Sequence, residues 1–456
     1  MILYQMECLF TEEDALESFD QDRVPGIPTE SHSMPELLSS DPLARSAVKR
    51  AENIYDVIVR AREELDDIHC IELGLSPYPH LDESPVLQQV VETILAYDNI
   101  HILFSSGWDM YSSRVYSSVP VPTDTGIGTE LRYDRTKQLQ LQLKELPNSR
   151  LHFWLGNTTE TSEHQSVFPE ADVQYYSVYP IRMCRQHIGK GIPFFVSPDK
   201  NTPREKLFVC LNNYEKSHRT EMVRFIKSYE HNGNYLKHKT YFSYLKPQDP
   251  ELKTSVDGEH GMGNIGDWQD IIDVNIVNNC YSYIATETHF NDTYWPLPGL
   301  KNGVLEPIKH NTPLYNTSIS EQDLSCFEIA MSGWISEKSL KSAYYELPLL
   351  VVGYPGSLQA FRDLGFKTFP EFYDERYDSV GNAGERIRQI QQNMIRLLKM
   401  PLEEVHALYH SDNVQAKLKH NKELFINMIK HDPYLSLFGG SDTLDSIQEF
   451  CNNTHK

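Results

Sequence analysis

Residues 326–369 read CFEIAMSGWISEKSLKSAYYELPLLVVGYPGSLQAFRDLGFKTF, and this stretch decides the fold class. The spacing of its apolar residues predicts a helix over about 337–345, a turn at 346–348 and a buried strand at 349–352. A second turn at 353–356 and a helix over about 357–363 follow. Helix, strand and helix in this order are typical of an α/β sheet with parallel strands.

The same alternation continues outward along the chain. We predict strands at 1–10, 68–73, 100–104, 151–155, 193–196, 206–211 and 280–286, helices over about 46–64, 86–96 and 218–230, and loops at 11–45 and 250–268. Near the C-terminus, two helical faces are predicted from Ile387, Ile390, Met394, Leu397 and Leu398, and from Val414, Leu418, Phe425, Met428 and Ile429. The expected class is therefore α/β with C-terminal helices.

The length of 456 residues exceeds what one hydrophobic core usually organises, which favours two domains. The polar, proline-containing stretch SPDKNTPRE at 197–205 is the predicted linker. We therefore expect an N-terminal α/β domain over 1–197 and a second α/β domain over 198–456.

The charge distribution limits the classes of partner. A formal net charge of -22 repels phosphate backbones and anionic membranes in general. The stretch 200–246 is an exception, because it holds ten Lys or Arg against four Glu, and it is the first candidate for holding phosphate. Seven scattered cysteines show no zinc-type spacing, so we expect no metal site there. The opening residues lack a basic flank, and no apolar run reaches about 18 residues, so we expect no membrane insertion and a cytoplasmic location.

The start of the predicted helix at 337 carries the first candidate site. Ser336, Glu337, Lys338 and Lys341 cluster there, and a helix N-terminus with an added lysine suits a phosphate. Glu337 is suited to accept hydrogen bonds from two adjacent ribose hydroxyls. In the alternative interpretation, Ser336 caps the helix, Glu337 is an ordinary first-turn residue and the lysines are solvated. Gly353 permits close approach of a ligand, although a strand-to-helix turn also requires glycine.

Two further turns contribute candidates. Asn212, Lys216 and Arg219 surround the turn between the predicted strand at 206–211 and the following helix, where the planar fork of Arg219 matches a diphosphate. Glu287 ends the predicted strand 280–286, at the sheet edge where α/β proteins bind ligands, and is a candidate for hydrogen bonding to the same ligand. In the alternative interpretation, these are surface and turn residues.

The segment Ile335-Ser336-Glu337-Lys338, followed by Ser342-Ala343, Leu347-Pro348-Leu349 and Val351-Val352-Gly353, resembles the donor-binding stretch of α-1,3-fucosyltransferases. The stretch at 206–400, with its Leu-Gly-Phe-Lys-Thr-Phe element at 364–369, is also similar to glycosyltransferase-like proteins of phages and large viruses. Within it, Asn212, Lys216, His218 and Arg219 resemble the phage pattern Leu-Asn-Arg-x-x-x-x-His-Arg. Ser336 departs from the commoner threonine, and the first 195 residues share no such resemblance.

The resemblance implies a GT-B architecture, in which two Rossmann-like domains flank a central cleft. It implies that 198–456 bind the nucleotide sugar and that 1–197 contact the acceptor. It further implies that Glu337 meets ribose or sugar hydroxyls and that Lys338 neutralises phosphate. The expected enzyme is a glycosyltransferase that moves a hexose or pentose from a UDP- or GDP-sugar, without another cofactor, to an acceptor hydroxyl on a glycan, a lipid-linked molecule or a protein.

Sugar transfer needs the leaving diphosphate stabilised and the acceptor hydroxyl deprotonated. Arg219, Lys338 and the helix start supply positive charge, so we expect metal independence; the Asp20-Gln21-Asp22 motif lies in an acidic loop. Asp109, after the predicted strand at 100–104, is the candidate base, with a surface turn residue as the alternative. Two other functions stay open. One is a phage-type transferase that glycosylates a hydroxymethylated DNA base in the host cytoplasm, and the other is a non-catalytic protein with a donor-like fold.

Overall fold

A computed structural model of the chain describes part of its length. The described residues are 2–6, 48–51, 54–74, 91, 94–105, 114–116, 121–123, 126–128, 131–134, 139–141, 143–156, 158–177, 179–180, 183–184, 195, 204–214, 216–246, 250–254, 272, 274–287, 290, 298–301, 304–307 and 335–432. The fold that follows is that of these residues.

The strands are β1 (Ile2–Met6), β2 (Val48–Ala51), β3 (His69–Gly74), β4 (Ile100–Ser105), β5 (Arg114–Tyr116), β6 (Val121–Thr123), β7 (Gly126–Gly128), β8 (Leu131–Asp134), β9 (Leu151–Leu155), β10 (Asp172–Tyr175), β11 (Lys206–Tyr214), β12 (Glu230–His231), β13 (Asn234–Tyr235), β14 (Thr240–Lys246), β15 (Cys280–Thr286), β16 (Pro298–Lys301), β17 (Val304–Pro307) and β18 (Leu349–Val352). The α-helices are α1 (Ile54–Glu63), α2 (Thr158–Val167), α3 (Ser217–Ser228), α4 (Val274–Asn278), α5 (Glu337–Tyr344), α6 (Ser357–Asp363), α7 (Ala383–Lys399), α8 (Leu402–Tyr409) and α9 (Asp412–Lys430).

The chain divides into two compact units. Unit 1 comprises Met1–Val115, Leu131–Val178 and His431–Glu449, and unit 2 comprises Tyr116–Glu130, Tyr179–Lys430 and Phe450–Lys456. Each unit contains one larger sheet whose strands are all parallel. The class is thus mixed α/β with parallel sheets, as the sequence predicts.

Unit 1 is built on a six-stranded sheet, here called the first sheet. Its strand order is β10-β9-β4-β3-β1-β2. One face is covered by an apolar cluster that includes Ile71 of β3, Ile102 of β4 and Leu151 of β9. Phe153 stacks on the rings of Phe104 and Phe168, with centroids 5.0 and 4.7 Å apart. This burial explains why β4 and β9 are recognisable in the sequence as apolar runs.

A buried arginine, Arg150, holds the segment that leads into β4. The Arg150 guanidinium donates hydrogen bonds to the carbonyl oxygens of Ile94, Tyr97 and Ile100, at N···O distances from 2.6 to 3.1 Å. These carbonyls belong to the chain that enters β4. Because hydrogen bonds from a charged donor are stronger than neutral ones, Arg150 stabilises this entry.

Unit 2 is built on a four-stranded sheet, here called the second sheet. Its strand order is β14-β11-β15-β18. Every residue of β15 and β18 is buried, which is the pattern of parallel strands covered on both faces. The helix α5 contacts β15, β18 and α9, where Tyr344 packs against Phe425 at a centroid distance of 5.7 Å. Because these strands are parallel, the carboxyl ends of β11, β15 and β18 share one edge of the sheet.

Most predicted elements in the described part are confirmed. The strands predicted at 151–155, 280–286 and 349–352 and the helix at 357–363 have the predicted bounds. The predicted apolar face of α7 is buried, and so is that of α9 except for Met428, which is half-buried. The helix predicted over 46–64 was wrong at its start, because Val48 pairs with Leu3 in a strand. The strand predicted to end at 211 was too short, because β11 continues to Tyr214 beside β14.

Other predictions fall largely on residues outside the described part. They include the loop at 11–45, most of the helix over 86–96, the linker at 197–205 and most of the loop at 250–268. Within 250–254, Pro250–Leu252 form a 3-10 turn and Thr254 bridges to Tyr244. None of the described helices is sufficiently long and apolar to span a bilayer.

Replacing Arg150 by methionine tests its hold on the segment that leads into β4. Arg150→Met removes the charged donor from these three carbonyls, although those of Ile94 and Tyr97 keep a backbone N–H donor, and we expect the free energy of unfolding to fall by about 1.5–3 kcal/mol. Urea unfolding measures the change. Arg62→Met, on an exposed position of α1, is the control and should change stability by less than about 0.5 kcal/mol. Equal effects of the two variants would contradict the assignment.

Candidate functional site

The carboxyl-terminal edge of the second sheet carries a layer of polar contacts. Thr286, at the end of β15, donates its hydroxyl to Oδ1 of Asn212 in the neighbouring strand β11. The backbone N–H of Asn212 donates to Oγ of Ser243 in β14 at 3.1 Å, and that hydroxyl donates back to the Asn212 carbonyl at 3.2 Å. Asn212 is buried, and its side chain thus joins adjacent strands at the edge where α/β sheets bind ligands.

Glu287 is the central acceptor at this edge. It follows β15 directly and is 0% exposed. Its Oε1 accepts from the Ser336 backbone N–H at 3.1 Å and from the Ser339 hydroxyl at 2.6 Å, and its Oε2 accepts from the Ser336 hydroxyl. A carboxylate at a helix N-terminus is favoured by the helix dipole, so Glu287 fixes the start of α5 to the end of β15.

The start of α5 also has a local cap. The Ser336 side chain accepts a hydrogen bond from the Lys338 backbone N–H at 3.2 Å. The capping interpretation of Ser336 is therefore confirmed, because serine at this position satisfies one of the unpaired amides of the first turn. Because Ser336 is itself buried, the exposed side chains at the start of α5 are those of the residues that follow it.

Glu337 and Lys338 form a pair at the rim of this site. Lys338 Nζ lies 2.6 Å from Glu337 Oε1, and the two side chains are 21% and 15% exposed respectively. Burial opposes ionisation of Glu337, but the charges of Lys338 and Lys341 prevail and lower its pKa to about 2. Glu337 is therefore an anion at any ordinary pH, with one oxygen engaged by the lysine.

Two basic side chains of α3 hold the turn after β15. His218 Nε2 donates to the Glu287 carbonyl at 2.8 Å, which requires the proton on that nitrogen. Arg219 Nη2 donates to the carbonyls of Thr286 and Glu287 at 3.3 and 3.2 Å. Both residues are buried, so Arg219 is not a surface residue, and its Nη2 group contacts main-chain carbonyls in this structure.

Arg386, in the first turns of α7, joins two loops at the same edge. Its Nε donates to the Gly353 carbonyl at 3.2 Å, and its Nη2 donates to the Phe290 carbonyl. Its guanidinium lies 4.3 Å from the ring centroid of Phe290, and the His218 ring stacks on the same ring with the centroids 5.3 Å apart. Sequence analysis missed Arg386. The sequence did contain a signal, because Arg386 lies on the apolar helical face formed by Ala383, Ile387 and Ile390. A charged side chain buried on such a face needs a hydrogen-bonding partner.

Gly353 directly follows β18 and lies in close contact with Glu287. A Cβ atom at this position would lie 2.9 Å from Ser357 Oγ, 3.1 Å from Val351 Cγ1 and 3.2 Å from Glu287 Cγ. These distances are shorter than ordinary carbon contacts. Glycine therefore allows the main chain after β18 to pack directly against Glu287.

The structure brings most of the predicted site residues to one sheet edge, with Asn212, Glu287, Ser336 and Gly353 buried and Glu337 and Lys338 at the rim. Lys216 is the N-cap residue of α3 without a side-chain capping bond, and Lys341 lies in the last turn of α5, close enough to lower the pKa of Glu337. Asp109, Asp20 and Asp22 lie outside the described residues. Within the described residues, no three His, Cys, Asp or Glu side chains are arranged to hold a metal ion.

No protein-family model matches this chain, and no curated protein sequence matches it. Among solved structures, a GtfA/B complex is similar with 10% identity and a TM-score of 0.35, covering 87% of this chain and 60% of that chain. An alpha1,3-fucosyltransferase is similar with 8% identity and a TM-score of 0.28, covering 91% of each chain. This chain thus spans about 60% of the GtfA/B chain. Similarity at these TM-scores identifies neither activity nor substrate.

Removing the Glu287 carboxylate tests the connection between β15 and α5. Glu287→Ala leaves three buried donors of Ser336 and Ser339 without their acceptor, and we expect a loss of at least about 2 kcal/mol in the free energy of unfolding. Glu423→Ala, at an exposed position of α9, is the matched control. Urea denaturation of both variants gives the comparison. A loss no larger than that of the control would show that Glu287 does not hold α5.

Adding a methyl group at Gly353 tests the close packing. We expect Gly353→Ala to lower the free energy of unfolding by about 1–3 kcal/mol through overpacking. The double variant Gly353→Ala/Ser357→Ala removes the nearest contact atom, Ser357 Oγ, and should recover part of the loss. Thermal or urea unfolding of the two single variants and the double variant measures the coupling, and purely additive effects would contradict the contact.

Proposed function

We propose that this chain is a glycosyltransferase that takes a hexose or pentose from a UDP- or GDP-sugar and transfers it to an acceptor hydroxyl. The observation that carries the proposal is the Glu337–Lys338 pair at the rim of the α5 start, set on a buried polar frame at the carboxyl edge of a parallel sheet. This edge is where α/β folds bind nucleotides. The residues are also those that resemble the donor-binding stretch of α-1,3-fucosyltransferases.

The chemistry of the pair matches two parts of a nucleotide sugar. Glu337 is ionised and acceptor-only, which suits the vicinal hydroxyls of a ribose or a sugar. Lys338 and Lys341 suit a diphosphate as flexible point charges. The amides of Ser336 and Lys338 are already bonded to Glu287 and to the cap, so we assign the attraction for phosphate mainly to the lysine side chains.

The contacts that Arg219 makes in the structure change the role that we propose for it. Its Nη2 group bonds the carbonyls that end β15, so we assign it to positioning Glu287 and the turn after β15. Its charge still adds to the positive potential at this edge. We assign Asn212 a positioning role as well, because its side chain accepts a hydrogen bond from Thr286 at the end of β15. Direct phosphate contact by Lys216 remains part of the proposal.

The proposed architecture is GT-B, with residues 1–197 as the acceptor domain and 198–456 as the nucleotide-sugar domain. Two compact units, each with its own parallel sheet, support this proposal. In the proposed reaction, the electron pair of the broken sugar–phosphate bond passes to the diphosphate, whose charge the lysines stabilise without a metal.

Thermal-shift measurements with UDP-, GDP-, CMP- and ADP-sugars test the proposal. One nucleotide class at about 100 times its dissociation constant should stabilise the fold by about 2.7 kcal/mol. We expect Glu337→Ala and Lys338→Met each to weaken that binding by about 10–100-fold, because each removes a charge-assisted contact. Glu404→Ala and Lys419→Met, at exposed positions on α8 and α9, are the charge-matched controls.

The outcomes separate the hypotheses. No binding of any nucleotide sugar, or full binding by both site variants, contradicts the proposed function. Specific binding without release of nucleoside diphosphate, with or without acceptors, indicates a non-catalytic protein with a donor site. Transfer confined to hydroxymethylated DNA selects that acceptor over glycans and proteins.

A further inference from the structure

Two histidines and an aspartate form a chain of hydrogen bonds across the first sheet. His152 Nδ1 lies 3.1 Å from Asp172 Oδ2, and His152 Nε2 lies 3.0 Å from His101 Nδ1. The three residues belong to the adjacent strands β10, β9 and β4. They alternate along these strands with residues of the apolar cluster, so they lie on the other face of the sheet. All of these contacts are within unit 1.

The aspartate fixes which nitrogen of His152 carries a hydrogen. Asp172 Oδ2 also accepts hydrogen bonds from the Trp154 indole and the Gln174 side-chain amide, each at 3.3 Å, and these nitrogens only donate. The hydrogen bond from His152 is the main cause that lowers the pKa of Asp172. Because an ionised carboxylate only accepts, His152 must carry a hydrogen on Nδ1. Neutral His152 therefore presents a bare Nε2 to His101.

The bare Nε2 of His152 determines the state of His101 in turn. The contact between the two ring nitrogens at 3.0 Å needs a hydrogen between them, so neutral His101 donates from Nδ1. The two ring planes are inclined by 25°, which lets the N–H of one ring point along the lone pair of the other. Neutral His101 thus has a bare Nε2, and that nitrogen makes no hydrogen bond with any described residue.

The surroundings of the two histidines decide where an added proton comes to rest. Burial, together with the nearby His152 and Arg150, lowers the pKa of His101 to about 4. His152 instead contacts the Asp172 carboxylate directly, and an opposite charge at that distance favours the charged imidazolium. A proton shared by this pair therefore resides on His152.

The neighbouring strand β3 adds no charge that reverses this order. Cys70 is the register partner of His101, and burial raises the pKa of its thiol, so the thiol is neutral. Glu72 lies on the same face two positions further along β3, and its carboxyl group accepts a hydrogen bond from Ser105 at 2.5 Å. The carboxylate in contact with the histidine pair is thus that of β10.

We propose that Asp172, His152 and His101 form a proton relay that makes His101 a pH-dependent hydrogen-bond donor or acceptor. A proton that binds to His101 Nε2 releases the hydrogen on Nδ1 of the same ring, which passes to His152 Nε2. The positive charge then lies on His152, beside Asp172, and His101 stays neutral with its hydrogen on Nε2. Loss of the proton reverses both transfers.

The relay changes the kind of ligand group that fits His101. Above the pH of proton uptake, His101 Nε2 accepts a hydrogen bond, for example from a hydroxyl group. Below it, the same nitrogen donates to a carbonyl or a carboxylate. The change occurs without a charge on the half-buried His101 ring, because the charge appears one residue away. This inference is independent of the proposed function, since it concerns unit 1 alone.

Long-range proton–nitrogen NMR of the full chain tests the relay. The chain is labelled with isotopic histidine and titrated from pH 9 to pH 5, and signals are identified by their loss in His101→Gln and His152→Gln. We expect one transition in which both nitrogens of His152 become protonated while the hydrogen of His101 moves from Nδ1 to Nε2. In His152→Gln, this exchange between the nitrogens of His101 should be absent.

Asp172→Asn tests the charged end of the relay. It removes the carboxylate that favours the imidazolium and keeps a side chain of the same size, so the midpoint of the transition should fall by about one pH unit. Glu170→Gln removes one acidic charge at an exposed position shortly before β10 and is the matched control. Its midpoint should stay close to that of the wild type.

Three results would overturn the relay. The first is a His101 ring that becomes an imidazolium within this pH range. The second is a His101 hydrogen that stays on the same nitrogen throughout, and the third is an equal midpoint in Asp172→Asn and Glu170→Gln. Melting temperatures show whether each variant is folded, and the wild-type titration decides the first two results without any variant.

Discussion

The buried carboxylate of Glu287 is the contact on which the rest of the candidate site depends. An isolated buried charge is strongly unfavourable, and this one is compensated by three donors at the start of α5. Those bonds join the end of a central strand to the helix that presents Glu337 and Lys338. The main chain of Glu287 is held in turn by His218 and Arg219. The position of the charged pair Glu337 and Lys338 at the rim therefore depends on one buried carboxylate.

The basic side chains at this edge divide into two groups by burial. His218, Arg219 and Arg386 are buried and donate to main-chain carbonyls of the loops that follow β15 and β18. Lys338 remains partly exposed beside its carboxylate partner. Carbonyls at strand ends have no partner within the sheet, so an arginine fork is an efficient way to satisfy several of them. An arginine next to a sheet edge is thus not in itself a sign of phosphate binding.

The two sheets place carboxyl groups of opposite character at their carboxyl edges. Burial acts on both groups, but the lysines beside Glu337 prevail and lower its pKa to about 2, whereas burial raises the pKa of Glu72 to about 7. Different environments thus give the same functional group different pKa values. The distinction depends on the neighbours of each carboxyl group.

The sequence by itself determined the class and the elements whose burial is local. The strands 151–155, 280–286 and 349–352 were predictable to the residue, because apolar runs covered on both faces are bounded by turn residues. The clustering of Ser336, Glu337 and Lys338 was visible because they are adjacent. Tertiary structure alone decided that Val48 pairs with Leu3 and that Arg386 stacks on Phe290. It also brought Ser105 to Glu72, which is 33 positions away in the chain. Strand register and burial set these contacts and the resulting pKa values, and neither is encoded in a local pattern.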